Sequence, residues 1–365
     1  MEIKAAVARE QGQGLQIEQV NLESPRDHEI LVRVVATGVC HTDLVVLAGH
    51  LPTPFPVVLG HEGAGIVEQV GSAISKVKPG DHVVMTFNSC GSCPSCADNH
   101  VSTCYEFFPR NFFATRADGT SAISQNEQMI HSNFFGQSSF ATHALCHEAN
   151  VVKVSDELQL ELLGPLACGI QTGAGAVMNS LQVSVGSSFV VFGAGSVGLS
   201  AVMAARVVGA STIIAVDLNE DRLAMAKELG ATHTINPEKA NASEEVMKIT
   251  GVGAQYSLDT TGIPAVIRDA VESLANRGSC GILGAPVPES KIELDETHFM
   301  SGGRRLMGIV EGDSNPDTFI PMLAELNAKG LFPFDKLVKF YSLDQINDAI
   351  HDSESGAAIK PIIRM

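Results

Sequence analysis

One run of the chain leaves little freedom of fold. From Ser188 onward apolar strands alternate with helical segments: FVVFGAG is a strand entering a glycine turn, SVGLSAVMAARVVG a helix, STIIAVD a strand and NEDRLAMAKELG an amphipathic helix. The alternation continues through HTIN, ASEEVMKIT, YSLDTTG, IPAVIRDAVESLA and GSCGILGAP. Strands separated by helices of this length imply a parallel, doubly wound sheet covered on both faces. The stretch from SSFVVF to TIIAV is long enough for a membrane span, but Arg206 and many Gly and Ser residues fit a strand-helix-strand unit better.

Within FGAGSVG, Gly193, Gly195 and Gly198 match G-x-G-x-x-G between a strand and a helix. That context is what the pattern needs, because the glycines allow a tight turn and let backbone approach a pyrophosphate seated on the helix N-terminus. Asp217 ends the next strand, nineteen residues after Gly198. A carboxylate there hydrogen-bonds both ribose hydroxyls of an adenosine and repels a 2′-phosphate, which favours NAD over NADP. Arg222 either stacks or pairs near that ribose or is a solvated helix residue.

Before about residue 165 the pattern differs. Short runs such as EILVRVVATGV, HVVMTF and FATHAL, broken by Gly, Pro and Asn, predict a mostly β region, and after about Ile309 the alternation fades again. The chain is therefore expected to hold a β-rich domain over 1–169, completed by 311–365, with a nucleotide domain over 170–310 inserted in it. A net charge of −17 argues against nucleic acid or an anionic membrane as partner, since both need a basic patch. The N-terminal MEIKAAVAREQGQG lacks the basic and apolar segments of a signal peptide, so a cytoplasmic location is expected.

There, cysteine spacing reads as metal ligation rather than disulfides. Cys90, Cys93, Cys96 and Cys104 are separated by two, two and seven residues. Four thiolates on one loop close a tetrahedral zinc shell with no open position, which makes a structural site. An iron–sulfur cluster is the competing use, although the spacing fits the common ferredoxin patterns poorly. Cys40, in GVCHTD, and His61, in GHEGAG, suit a different site. With Cys168 of GPLACG as third ligand they leave a fourth position for water or substrate, as a catalytic zinc requires. Cys146 and Cys280 read as buried packing.

GVCHTD, GHEGAGIVEQVG, the four-cysteine loop, GPLACG, FGAGSVG and the Asp217 region follow one another in the order of the zinc-dependent medium-chain alcohol dehydrogenases, which the chain resembles over essentially its full length. The resemblance implies a GroES-like catalytic domain joined to a Rossmann domain, NAD, two zinc ions, and a homodimer or homotetramer. It implies that Cys40, His61 and Cys168 hold the catalytic zinc, that Asp43 orients His61, and that Glu62 stands behind the metal as a transient ligand. Thr42 would accept the alcohol proton, and Thr172 and Val197 would pack near the nicotinamide. Many relatives carry a proton-relay histidine where this chain has Val45. His41 is then either a substitute base or a contact to the cofactor pyrophosphate.

Phe87 aligns with an aromatic pocket wall of the family, and Phe134 and Phe135 are expected along the same channel. LGAP, GIVEGD and His41 resemble the aryl-alcohol and geraniol dehydrogenase subgroup, which implies oxidation of a benzyl-like or allylic alcohol to its aldehyde. A glutathione-dependent formaldehyde dehydrogenase, or a general primary alcohol dehydrogenase, is the enzyme alternative. The glutathione group carries an arginine where DGTSA here has Ala122. A zinc protein that binds NAD(H) without turnover is the alternative from another class, but nothing required for catalysis other than the relay histidine is missing.

Overall fold

The computed structural model describes residues 1–285 and 289–365, so Pro286, the last residue of LGAP, lies outside the described residues. The chain divides into two compact units: one of Met1–Cys168, Asn315–Ala328 and Phe334–Met365, the other of Gly169–Ser314 and Lys329–Pro333.

The first unit is built on two sheets. In the larger one, strands run in the order Val151–Lys153, His82–Met85, Glu62–Val70, Glu29–Gly38, Lys360–Arg364 and Val338–Ser342, with His143–His147 also paired to Glu29–Gly38. Glu29–Gly38 is buried along nearly its whole length because strands pair on both sides and hydrophobic clusters pack on both faces. The register decides the chemistry downstream. Gly38 faces Glu62 across one ladder and Ile362 across the other, so the strand end at Cys40, the start of Glu62–Val70 and Lys360 converge. The smaller sheet orders Val57–Val58, Glu2–Ala8, Gln16–Leu22, Ile123–Gln125 and Gln128–Ile130.

The second unit is a six-stranded parallel sheet. Its strands, Ser188–Phe192, Thr212–Val216, His233–Ile235, Ala254–Asp259, Leu274–Ile282 and Arg305–Gly308, numbered 1 to 6 in chain order, lie in the order 3-2-1-4-5-6. Both halves of the apolar stretch around FGAGSVG are thus strands of one sheet joined by the helix Ser196–Val207. Among the described residues no helix is long and apolar enough to cross a membrane. Helix starts follow local chemistry: the Asn219 side chain accepts from the N–H groups of Asp221 and Arg222 at the head of Glu220–Leu229, and Asn241 does the same for Ala242–Thr250.

Candidate active site

The strand Glu29–Gly38 ends two residues before Cys40, which caps the short helix His41–Leu47. That helix turns Asp43 back into the protein, where its carboxylate accepts from the Cys40 N–H at 3.1 Å and the Gly60 N–H at 3.2 Å. The same carboxylate lies 3.0 Å from His61 Nδ1, with both side chains fully buried. An imidazole that donates Nδ1–H to a carboxylate presents a lone pair at Nε2. His61 Nε2 is buried and has no hydrogen-bond partner among the described residues.

The donor atoms of Cys40, His61, Glu62 and Cys168 lie within 4.8 Å of one another. Cys168 follows the turn Gly164–Ala167, which is anchored by a 2.7 Å hydrogen bond from Thr86 Oγ1 to the Ala167 carbonyl. Hydrogen bonding to Cys168 and the charge on His61 hold the Cys40 thiol well below its usual range, against the upward push of burial. Burial pushes His61 down, but the charges of Asp43 and Cys40 outweigh it and hold the imidazole well above its ordinary value. Anionic neighbours that draw positive charge to His61, and a buried Nε2 that none of the described residues satisfies, are what a divalent cation would answer, and the donor set fits zinc.

Sequence reasoning missed the cation behind this cluster. Lys360, 1% exposed, donates from Nζ to both Glu62 carboxylate oxygens at 2.9 Å and to the Val39 carbonyl at 3.2 Å. Burial lowers the lysine pKa, yet the charge of Glu62 outweighs it and keeps the ammonium protonated. A single lysine set in the apolar C-terminal run AAIKPII was the available signal.

Around His61 the expected pocket residues form an aromatic cluster. Phe135 stacks on the imidazole with centroids 4.5 Å apart, and Phe134 meets it edge-on at 5.6 Å. Phe107 and Phe112, two residues the sequence reading passed over, pack on Phe135, and Phe87 packs on Phe107. Phe87, Phe134 and Phe135 are buried in the first unit's core. Phe135 takes a left-handed backbone (φ 51°) within a turn that also holds Asn133 and Ser138 in that region, a conformation that persists only where surroundings enforce it. Thr42 is half-buried, its Oγ1 3.9 Å from Cys40 Sγ, whereas His41 is exposed and Val45 half-buried.

The four-cysteine loop is a separate cluster. Cys90 and Cys96 sulfurs are 3.9 Å apart and those of Cys93 and Cys104 4.0 Å, with all four within 4.8 Å. A tetrahedron with zinc–sulfur bonds of about 2.3 Å has edges of about 3.8 Å, so the spacing fits zinc. Backbone N–H groups point at the sulfurs: those of Ser92 and Cys93 at Cys90, that of Tyr105 at Cys93, and those of Cys90 and Glu106 at Cys104. Donation from Ser92 and Cys93 draws Cys90 down to about 6.

In the second unit, Gly193 leaves its strand at φ 93°, and a Cβ on Gly198 would stand 1.8 Å from the Gly193 carbonyl, so both positions need glycine. A Cβ on Gly195 would meet nothing within 4 Å among the described residues, which leaves room for a pyrophosphate at the N-terminus of Ser196–Val207. Asp217 Oδ2 accepts from the Ala194 N–H at 2.6 Å and Oδ1 from the Asn219 N–H at 2.8 Å, so the carboxylate is braced against the turn. Arg222 lies in the first turn of the next helix with a buried Nε that has no partner among the described residues. Gly173 packs on the Val197 carbonyl, which sets Thr172 and Val197 on adjoining helices. Cys146 and Cys280 are fully buried, as packing residues should be.

Two family models match: an alcohol dehydrogenase GroES-like domain over 26–156 and a zinc-binding dehydrogenase over 196–328. A geraniol dehydrogenase of Castellaniella defragrans is 47% identical over 362 residues, covering 99% of this chain and 97% of that protein. This chain belongs to the zinc-dependent medium-chain alcohol dehydrogenases. Among solved structures, this alcohol dehydrogenase is similar to a zinc-binding domain protein from Burkholderia ambifaria (53% identity, TM-score 0.99) and to benzyl alcohol dehydrogenase from Acinetobacter calcoaceticus (45%, TM-score 0.98). Each comparison covers 100% of this chain and 99% of the other.

Proposed function

We propose that this alcohol dehydrogenase oxidises a primary aromatic or allylic alcohol to its aldehyde, reversibly, with hydride transfer to NAD, and that it holds two zinc ions. Cys40, His61 and Cys168 would hold the catalytic zinc, and the four-cysteine loop the structural one. A zinc ion held there would supply Lewis acidity, which lowers the pKa of an alcohol hydroxyl toward neutrality. The chain's own residues do the rest. Asp43 fixes the His61 tautomer, Thr42 Oγ1 relays the alcohol proton by accepting it while passing its own hydroxyl proton on toward solvent, and Lys360 balances Glu62 so that the pocket does not hold an unpaired buried carboxylate.

The observation that carries the substrate class is the apolar surroundings of the His61 imidazole, on which Phe134 and Phe135, both buried in the first unit's core, pack. Such surroundings favour planar, apolar groups beside the reacting carbon. The similarity to proteins named geraniol dehydrogenase and benzyl alcohol dehydrogenase supports an allylic or aryl alcohol. A glutathione conjugate fits less well, because Ala122 is a buried residue of the first unit's core and offers no cation. For the cofactor, the braced Asp217 carboxylate supports NAD by repelling a 2′-phosphate.

The test is NADH formation with benzyl alcohol, cinnamyl alcohol, geraniol, ethanol, sorbitol and hydroxymethylglutathione. The expected result is the highest kcat/KM for the first three. A preference for ethanol, sorbitol or hydroxymethylglutathione would overturn the substrate class, and reduction of NADP alone would overturn the cofactor assignment.

A further inference from the structure

A dinucleotide has two ends, and the sheet order says where each belongs. In a sheet ordered 3-2-1-4-5-6 the two nucleotide halves sit over the carboxyl ends of the strands, on either side of the switch point between strands 1 and 4. Gly193 and Asp217 follow strands 1 and 2, so the adenosine half lies there. The nicotinamide half then belongs over the ends of Ala254–Asp259, Leu274–Ile282 and Arg305–Gly308.

The turn that follows the last of these strands carries a carboxylate held in an unusual way. Glu311, Gly312 and Asp313 take left-handed backbone in succession, at φ 49°, 65° and 45°. Residues with side chains rarely adopt that conformation unless neighbours impose it. Here Thr172 Oγ1 donates to Glu311 Oε2 at 3.2 Å, Asn179 Nδ2 to the Gly312 carbonyl at 3.1 Å, and Ser180 Oγ to Asp313 Oδ2 at 2.7 Å. Ser314 Oγ closes the turn by bonding the Glu311 carbonyl at 2.7 Å and Gln171 Oε1 at 2.9 Å. Glu311 is thereby fixed, 8% exposed, on the nicotinamide half of the sheet edge. The neighbouring acid Asp259 is turned inward, capping the Thr261 and Gly262 N–H groups.

The nicotinamide ring is cationic in NAD and neutral in NADH. We propose that Glu311 is a positioning residue that sets the redox preference of the bound cofactor, its carboxylate stabilising the cationic ring over the reduced one. The inference rests on the assignment of NAD as cofactor and extends it. A carboxylate within about 10 Å of a pyridinium, at an effective dielectric of about 20, favours the cationic form by roughly tenfold or more. Such a bias weakens NADH relative to NAD, which favours release of the reduced cofactor and so alcohol oxidation.

The test is the ratio of dissociation constants for NAD and NADH on the zinc-loaded protein, NADH by its fluorescence and NAD by displacement of NADH. Glu311→Gln keeps an oxygen for Thr172 to donate to and removes the charge. It should shift the ratio toward NADH by about tenfold, equivalent to about 30 mV in the potential of the bound couple. Glu311→Asp should retain most of the wild-type ratio, and Glu311→Ala should reproduce the Gln shift. Equal weakening of both nucleotides in the Gln and Ala variants, or no change in either, would overturn the role of Glu311 alone. Failure of the wild-type protein to bind NAD or NADH would overturn the cofactor assignment and this inference with it.

Discussion

The two cysteine-bearing clusters of the first unit are built on opposite plans. The four-cysteine loop draws every donor from residues 90–104 and points backbone N–H groups at its sulfurs, so a metal there would stabilise a local segment. The Cys40–His61–Cys168 cluster draws its donors from three distant segments and surrounds them with Asp43, Glu62, Lys360 and stacked phenylalanines. A closed local shell offers a metal no vacant position and a stable loop in return. A distributed shell of three ligands leaves a position for chemistry, and its geometry depends on the whole fold that brings the ligands together.

That contrast can be broken at several depths. Cys168→Ser should lower turnover by about a thousandfold or more and remove one zinc per chain, with NAD binding intact, as measured by metal content and cofactor titration. The same change at Cys104 should first cost thermal stability. Lys360→Met leaves Glu62 buried without its partner, and the melting temperature should fall by an amount equivalent to about 3–5 kcal/mol. Adding Glu62→Gln should restore most of that loss, and a double variant no better than the single one would remove the ion pair from the account. Asp43→Asn loses the carboxylate that orients His61 and should weaken zinc at the distributed site by about 10–100-fold in a chelator competition, leaving the four-cysteine zinc unmoved. The smallest effect lies in the other unit, where Asp217→Ala should erode discrimination against NADP by roughly tenfold in kcat/KM.

Legibility followed the same divide. The parallel sheet could be read because the strands and helices of Ser188–Ile282 are continuous in sequence and each shows its own periodicity. The four-cysteine loop could be read because its spacing is its geometry. For Cys40, His61 and Cys168 the residue types were visible, but their convergence depends on the register in which Gly38 faces Glu62. Lys360 escaped because it lies 298 residues from Glu62, and only strand pairing brings them together. Phe107 and Phe112 escaped because FFPRNF carries no signal beyond a short apolar helix, and the left-handed turn at Asn133–Ser138 that presents Phe135 to His61 depends on tertiary contacts. The Thr172–Glu311 hydrogen bond spans 139 residues and was equally invisible.

The most direct test of this division of labour is an anomalous diffraction map collected at the zinc edge from crystals of the purified enzyme. Two peaks per chain are expected, one among Cys40, His61 and Cys168 and one among Cys90, Cys93, Cys96 and Cys104. A peak at the four-cysteine loop alone, in crystals of protein that oxidises alcohols at full rate, would contradict the assignment of the distributed cluster as the catalytic metal centre.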